Sequence, residues 1–154
     1  MTFADASKAL DALYAGLPIV PCRQLCQESC GVIVMSRVEW VRITRRLGYR
    51  PRGKTSLVCP MLKQGRCIVH AIRPMNCRLY GALHDQRMRC PYGCVPDRIL
   101  SDEEFGMILA TVERISREVY SSAELSAPAQ RLALEEISVF VAAYQKGADA
   151  HGNA

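Results

Sequence analysis

The sequence lacks long apolar runs. No stretch approaches the ~18 consecutive apolar residues that a transmembrane helix needs. The first 17 residues carry Asp5, Lys8 and Asp11, which would interrupt the apolar segment of a signal peptide. We therefore expect no membrane span and a cytoplasmic protein.

Catalytic signatures are also missing. The sequence has no Ser/His/Asp order, no glycine loop that would cradle a phosphate and no dinucleotide-binding fingerprint. His70 lies three residues after Cys67, a spacing that metal ligands use. Because eight thiols are already present, we interpret His70 as an orienting or exposed residue, while His84 and His151 have no motif around them. No reaction follows from the sequence.

Cysteine is abundant by contrast. The chain has 154 residues, of which 49% are apolar, so it can bury a core without covalent staples. Clustered cysteines in a reducing cytoplasm indicate metal binding rather than disulfides. We predict that all eight are metal ligands: Cys22, Cys26, Cys30, Cys59, Cys67, Cys77, Cys90 and Cys94.

The charge is unevenly distributed. Residues 1–100 have 16 Lys and Arg against 6 Asp and Glu, whereas residues 101–154 have 4 against 9. All the cysteines lie in the basic part, where arginines can compensate thiolate charge. Four bases share one face of a predicted helix and its exit, namely Arg42, Arg45, Arg46 and Arg50. They could contact nucleic-acid phosphates, but we favour a solvated helix face because no aromatic residues are interleaved.

Three capping boxes mark helix starts, at Thr2/Asp5, Ser36/Glu39 and Ser101/Glu104. Apolar residues at helical spacing follow each of them, and Gly48 would end the second helix. The last helix of this set has a predicted buried side made of Phe105, Ile108, Leu109, Val112, Ile115 and Val119. Cys22, Cys26 and Cys30 are four residues apart, so on a helix their sulfurs would form one stripe. Trp40 is predicted to be a core anchor.

We predict a single, mainly α domain over residues 1–154. Residues 18–100 form a small, loop-rich cysteine-cluster region held by metal, because Pro and Gly interrupt every periodic pattern from residue 49 to 100. Residues 101–146 form a C-terminal helical hairpin, with Pro128 in the first turn of its second helix. Residues 147–154 form a flexible tail.

Eight thiols make two sets of four, and four thiolates suit either tetrahedral zinc or a [4Fe–4S] cluster. Cys-x3-Cys occurs three times, and Pro follows Cys59 and Cys90 directly. These features resemble cluster ligation slightly more than zinc knuckles. We predict that Cys59, Cys67 and Cys77 share one centre with a member of the group of Cys22, Cys26 and Cys30.

The order Cys59-Pro60, Gly65-x-Cys67, Arg73-Pro74-x-x-Cys77-Arg78 and Tyr80 resembles the signature of the YkgJ-type cysteine-cluster family. The resemblance covers residues 22 to 94 and implies a zinc- or iron-chelating domain. Two positions depart from the family pattern: Gly31 follows Cys30 where the family often has a second cysteine, and His70 occupies a place commonly held by Tyr. Cys90 or Cys94 would then complete the ligand number.

Arg73 and Arg78 flank Cys77, and guanidinium groups donate hydrogen bonds to thiolate or sulfide sulfur. Both are therefore predicted cofactor-binding residues, the other reading being that they hold an anion or a substrate. The sequence favours a metal-binding protein with a structural, sensing or metal-handling role. Two other hypotheses stay open: an iron–sulfur redox or modifying enzyme, and a nucleic-acid or transcription accessory protein using the basic residues 37–54.

Overall fold

The structure is a computed structural model that describes residues 1–31, 33–52 and 58–120. The chain divides into two compact units, Met1–Val119 and Tyr120–Ala154. Of the second unit only Tyr120 is described. The predicted second helix of the C-terminal hairpin and the predicted tail therefore lie outside the described residues, as does Lys54 of the basic segment.

Helices dominate the described part of the chain. They are α1 (Phe3–Ala15), α2 (Arg37–Leu47), α3 (Met75–Leu79) and α4 (Asp102–Val119). The prediction of a mainly α protein is confirmed for the described residues. Within the described residues, no helix has both the length and the apolar character needed to cross a membrane.

The three predicted capping boxes are present at the starts of α1, α2 and α4. The hydroxyl oxygens of Thr2, Ser36 and Ser101 accept hydrogen bonds from backbone N–H groups three residues later, at 3.2, 3.3 and 3.1 Å. Each bond satisfies a donor that the helix itself leaves unpaired. α2 ends at Gly48, whose φ of 74° lies in the left-handed region that favours glycine.

Helices α1, α2 and α4 contact one another. The buried residues of these helices include the following: Ala6, Leu10, Val38, Ile43, Val112 and Ile115. The predicted inward face of α4 is wrong at Leu109, which is 38% exposed, whereas Ser116 is buried. The buried stripe is therefore narrower than the apolar pattern of the sequence.

The region between α2 and α4 is loop-rich, as predicted. Strands β1 (Leu62–Lys63) and β2 (Arg66–Cys67) form a two-stranded antiparallel hairpin in which Leu62 pairs with Cys67. Gln64 and Gly65 make the turn with positive φ angles of 48° and 76°. Single 3-10 turns at His70–Ile72 and Gln86–Met88 supply most of the remaining regular structure described here.

The condition for a stripe of Cys22, Cys26 and Cys30, namely a helix that carries all three, is not met. Only one 3-10 turn, Gln27–Ser29, lies between the last two of these cysteines. Gln24 has a φ of 58°, which a right-handed helix cannot accommodate. The three sulfurs are consequently not aligned on one face.

Candidate metal centre

The eight cysteines are free thiols. Backbone hydrogen bonds and packing arrange them in two adjoining groups of four, and charge effects act within and between these groups. The first thiol group consists of Cys30, Cys59, Cys67 and Cys77. The second thiol group consists of Cys22, Cys26, Cys90 and Cys94.

Local backbone pairing assembles most of the first thiol group. The N–H of Cys59 donates to the carbonyl oxygen of Cys30 at 2.9 Å, which joins the loop before α2 to the segment before β1. The N–H of Leu62 then donates to the Cys59 carbonyl oxygen at 3.0 Å, and the hairpin places Cys67 opposite Leu62. Three cysteines from two distant segments therefore share one corner of the fold.

Cys77 joins this corner from the short helix α3. Pro74 stands immediately before the helix with a φ of −68°, the angle to which its ring restricts the chain. Burial raises the pKa of the Cys77 thiol far above its usual value, and the charges of Cys59, Cys67 and Cys30 raise it further, in that order. Cys77 is therefore within electrostatic range of the other three thiols.

An apolar cluster surrounds the first thiol group. Cys59 is buried together with Ile43, Met61 and Val69, and Cys30 and Cys67 pack against this cluster. Trp40 packs against the same cluster, which confirms its predicted role in the core. Burial, followed by the charge of Cys59, raises the pKa of the Cys30 thiol to about 11. The surroundings thus oppose negative charge on these sulfurs, an opposition that a bound cation reverses.

The chemistry of the donor set fits a soft metal. Four thiolates are the ligands of structural zinc and of cubane iron–sulfur clusters. Across residues 1–31, 33–52 and 58–120, no three side chains of His, Cys, Asp or Glu are arranged to hold a metal ion. Because the raised pKa values of Cys30, Cys67 and Cys77 keep these thiols protonated, a metal ion would have to displace their protons and draw the sulfurs to bonding distance.

Arg73 lies beside the first thiol group. Its charge lowers the pKa values of Cys67 and Cys77, against the larger opposite effect of burial. Its Nη1 is 2.9 Å from Nε2 of His70. Its buried Nε has no hydrogen-bond partner among the described residues. A buried N–H without an acceptor fits the predicted donation to sulfur.

Arg78 is turned toward α1 and the neighbouring backbone. Its Nε donates to the carbonyl oxygen of Arg73 at 2.9 Å and its Nη2 to that of Ala71 at 3.0 Å. Its guanidinium carbon lies 4.4 Å from the centre of the Tyr14 ring. Arg78 therefore stabilises the loop that carries Arg73. The two arginines, for which the sequence predicts the same role, thus have different contacts.

His70 contacts the arginine rather than a thiol. Burial and the charges of Arg73 and Arg78 lower the pKa of His70, which keeps the ring neutral. A neutral ring nitrogen can accept a hydrogen bond from the guanidinium. This contact fits the interpretation of His70 as an orienting residue.

The basic face of α2 is partly used in packing. Arg42 forms an ion pair with Asp11 at 2.5 Å, and Arg45 stacks on the ring of Phe3 with 3.9 Å between the guanidinium carbon and the ring centre. Arg46 and Arg50 are exposed. The four arginines therefore do not form one continuous surface without intramolecular contacts.

Sequence reasoning missed a buried polar contact that supports Cys77. Glu39 is only 3% exposed, and it accepts hydrogen bonds from the N–H of Met75 at 2.7 Å and from the Tyr14 hydroxyl. The capping box identified Glu39 as a helix-start residue but gave no sign of these partners. The one available signal was that Glu39 stands among the apolar residues Val38, Trp40 and Val41.

Comparison of the chain with family models, curated proteins and solved structures finds no match.

Proposed function

We propose that this protein binds a four-thiolate metal centre through Cys30, Cys59, Cys67 and Cys77, in a structural, sensing or metal-handling role. The observation that carries the proposal is the convergence of these free thiols from three chain segments on one apolar corner. Reduced thiols in this arrangement suit the cytoplasm, where glutathione keeps them available for metal.

Packing alone does not account for the arrangement. A buried cysteine behaves as a small apolar residue and has no need of three others beside it. In this corner, however, the charges of Cys59 and Cys67 raise the pKa values of Cys30 and Cys77, after the larger effect of burial. A bound cation neutralises the negative charges of these sulfurs, which then act as its ligands. The unpartnered Nε of Arg73 would then donate to a ligand sulfur.

Iron–sulfur and zinc centres share this ligand chemistry, and we favour a [4Fe–4S] cluster. Pro60 directly follows Cys59, and the ligand spacings are irregular, both of which are features of cluster ligation. The resemblance to the YkgJ-type family supports chelation of either metal. Arg73 would adjust the charge of the centre through its N–H group.

Anaerobic purification followed by iron, sulfide and zinc analysis tests the proposal. Iron and acid-labile sulfide in equal amounts would support the cluster. Zinc without sulfide would support a zinc centre at the same ligands. Protein that is folded and reduced but holds neither metal, and takes up neither on reconstitution, contradicts the proposal.

The variant Cys77→Ser tests the ligand assignment. Serine replaces a soft thiolate by a hydroxyl that binds zinc or iron weakly, so the metal content should fall. Met107→Ser is the matched control, because Met107 is 58% exposed on α4 and its loss removes a sulfur away from the thiols. Full metal content in Cys77→Ser would refute the assignment.

A further inference from the structure

The second thiol group lies beside the first. We infer that Cys22, Cys26, Cys90 and Cys94 form a second metal site for the same soft class of metal, an inference that rests on the proposed function. The resemblance to the YkgJ-type family includes Cys22 and Cys26 among its matched positions, but it does not group them with Cys90 and Cys94 as a site of their own.

Hydrogen bonds at both ends join the two segments that carry these cysteines. At one end, the N–H of Ile19 donates to Asp97 Oδ1 at 2.9 Å, and the N–H of Asp97 donates to the Ile19 carbonyl oxygen at 3.2 Å. At the other end, the Tyr92 hydroxyl donates to Glu28 Oε1 at 2.8 Å. Between them, the Arg23 guanidinium donates to the Tyr92 carbonyl oxygen. These contacts hold one Cys-x3-Cys pair beside the other.

Backbone N–H groups point at two of the sulfurs. The N–H of Gln24 donates to Cys22 Sγ at 3.4 Å. The Arg23 backbone N–H, the Cys90 thiol and the Arg23 side chain lie within hydrogen-bonding reach of the Cys94 thiol. Each Cys-x3-Cys pair therefore contains a sulfur that already has an N–H donor, the kind of neighbour that orients a ligand thiolate.

A small apolar wall closes one side of the second thiol group. Val20, Ala82 and Cys94 are buried together, and Cys90 packs against them. Gly81, with a φ of 94°, passes so close that a Cβ there would lie 3.4 Å from Val20 and 3.7 Å from the Cys90 Cβ. Gly93, with a φ of 71°, turns the chain between Cys90 and Cys94.

The two thiol groups adjoin one another. The apolar cluster around Cys59 contains Cys30 and Cys67 but neither Cys90 nor Cys94. The charge of Cys22 nevertheless acts on both Cys30 and Cys67. Cys26 and Cys30, at either end of the 3-10 turn, connect the two thiol groups.

Titration of the reduced, chelator-treated full chain with Zn²⁺ tests the inference. The wild type should bind about two equivalents, since each tetrahedral zinc takes four thiolates. Cys90→Ser/Cys94→Ser and Cys59→Ser/Cys77→Ser should each bind about one equivalent. An unchanged stoichiometry in the first double variant, or complete loss in both, overturns the second site. A wild type that binds none refutes the proposed function itself.

Cadmium keeps the test decisive if a double variant does not fold. The wild type loaded with ¹¹³Cd²⁺ should give two NMR resonances, both at shifts typical of four sulfur ligands. A single resonance, or a second one from a site with oxygen or nitrogen ligands, overturns the inference without affecting the first site.

Discussion

The buried carboxylate of Glu39 accepts a hydrogen bond from the backbone N–H of Met75 at 2.7 Å. Met75 is the first residue of α3, and Cys77 lies two residues further along. The same carboxylate accepts from the N–H of Ser36 at 2.8 Å, at the start of α2. One side chain therefore fixes the start of α2 and the position of the helix that carries a candidate ligand.

Glu39→Gln should lower the free energy of unfolding by about 2 kcal/mol. The amide keeps one acceptor oxygen but turns the other into a donor group, which leaves a buried N–H without its partner. Urea unfolding followed by circular dichroism measures the change. The control is Glu103→Gln on the exposed first turn of α4, which should cost less than about 0.5 kcal/mol. Equal effects in both variants would contradict the role of Glu39.

The Tyr14 hydroxyl donates to Glu39, and this contact predicts a pH effect. Burial, then the negative charge of Glu39, raises the pKa of Tyr14 well above its usual value of 10.0. Because the folded state holds this proton more tightly than the unfolded state, the associated stability is present below pH 10 and is lost as the pH rises above it.

Tyr14→Phe checks this pH effect. The variant should lose about 1 to 2 kcal/mol at neutral pH, since Glu39 loses a donor. Above pH 10 the difference from the wild type should shrink. The tyrosine absorbance titration of the wild type should also contain a late step that Tyr14→Phe lacks. A constant difference between pH 7 and 11 would count against the raised pKa.

Gly65→Ala should destabilise the hairpin that presents Cys67. Gly65 has a φ of 76°, so alanine there costs about 1 to 2 kcal/mol. A Cβ would also stand 2.8 Å from the Gln27 amide nitrogen. Gly93→Ala provides the backbone-only control, because its φ is 71° and no described heavy atom lies within 4 Å of the added Cβ. Gly65→Ala should lower the free energy of unfolding more than Gly93→Ala does, by the small cost of moving Gln27. A smaller loss of stability than in the control would be inconsistent with this contact.

Metal removal should affect the loop-rich region between α2 and α4. Residues 58–100 contain only short strands, single turns and α3, so coordination would supply much of their stability. Chelation under reducing conditions should therefore speed tryptic cleavage at Lys63, Arg66 and Arg87, while helical circular dichroism from α1, α2 and α4 persists. Unchanged protease resistance after verified metal loss would contradict this prediction.

The sequence predicted the helix starts because capping is local. Thr2, Ser36 and Ser101 each bond to a residue three positions away, so the pattern is visible in the chain itself. Cys22, Cys26 and Cys30 form no helical stripe because Gln24 has a positive φ angle. The spacing of cysteines does not predict this backbone angle. Regular spacing of metal ligands therefore does not indicate a helix in the way that regular spacing of apolar residues does.

The division of the thiols could not be predicted for a similar reason. Spacing alone pairs Cys26 with Cys30 as readily as with Cys22. The grouping depends on contacts between distant segments, such as the bond from Cys59 to Cys30 and the two bonds between Ile19 and Asp97. Tertiary contacts of this kind leave no local signature.

The distance along the chain between members of each thiol group has a consequence for biosynthesis. Cys22 and Cys26 leave the ribosome well before Cys90 and Cys94, by roughly 4 to 14 seconds at ordinary translation rates. Cys77 is the last member of the first thiol group to emerge, and Cys94 is the last of the second. Because synthesis proceeds from the N-terminus, the first thiol group is complete as soon as Cys77 has appeared. Cys22 and Cys26 stay on the nascent chain as thiols without their proposed partners until residue 94 has appeared.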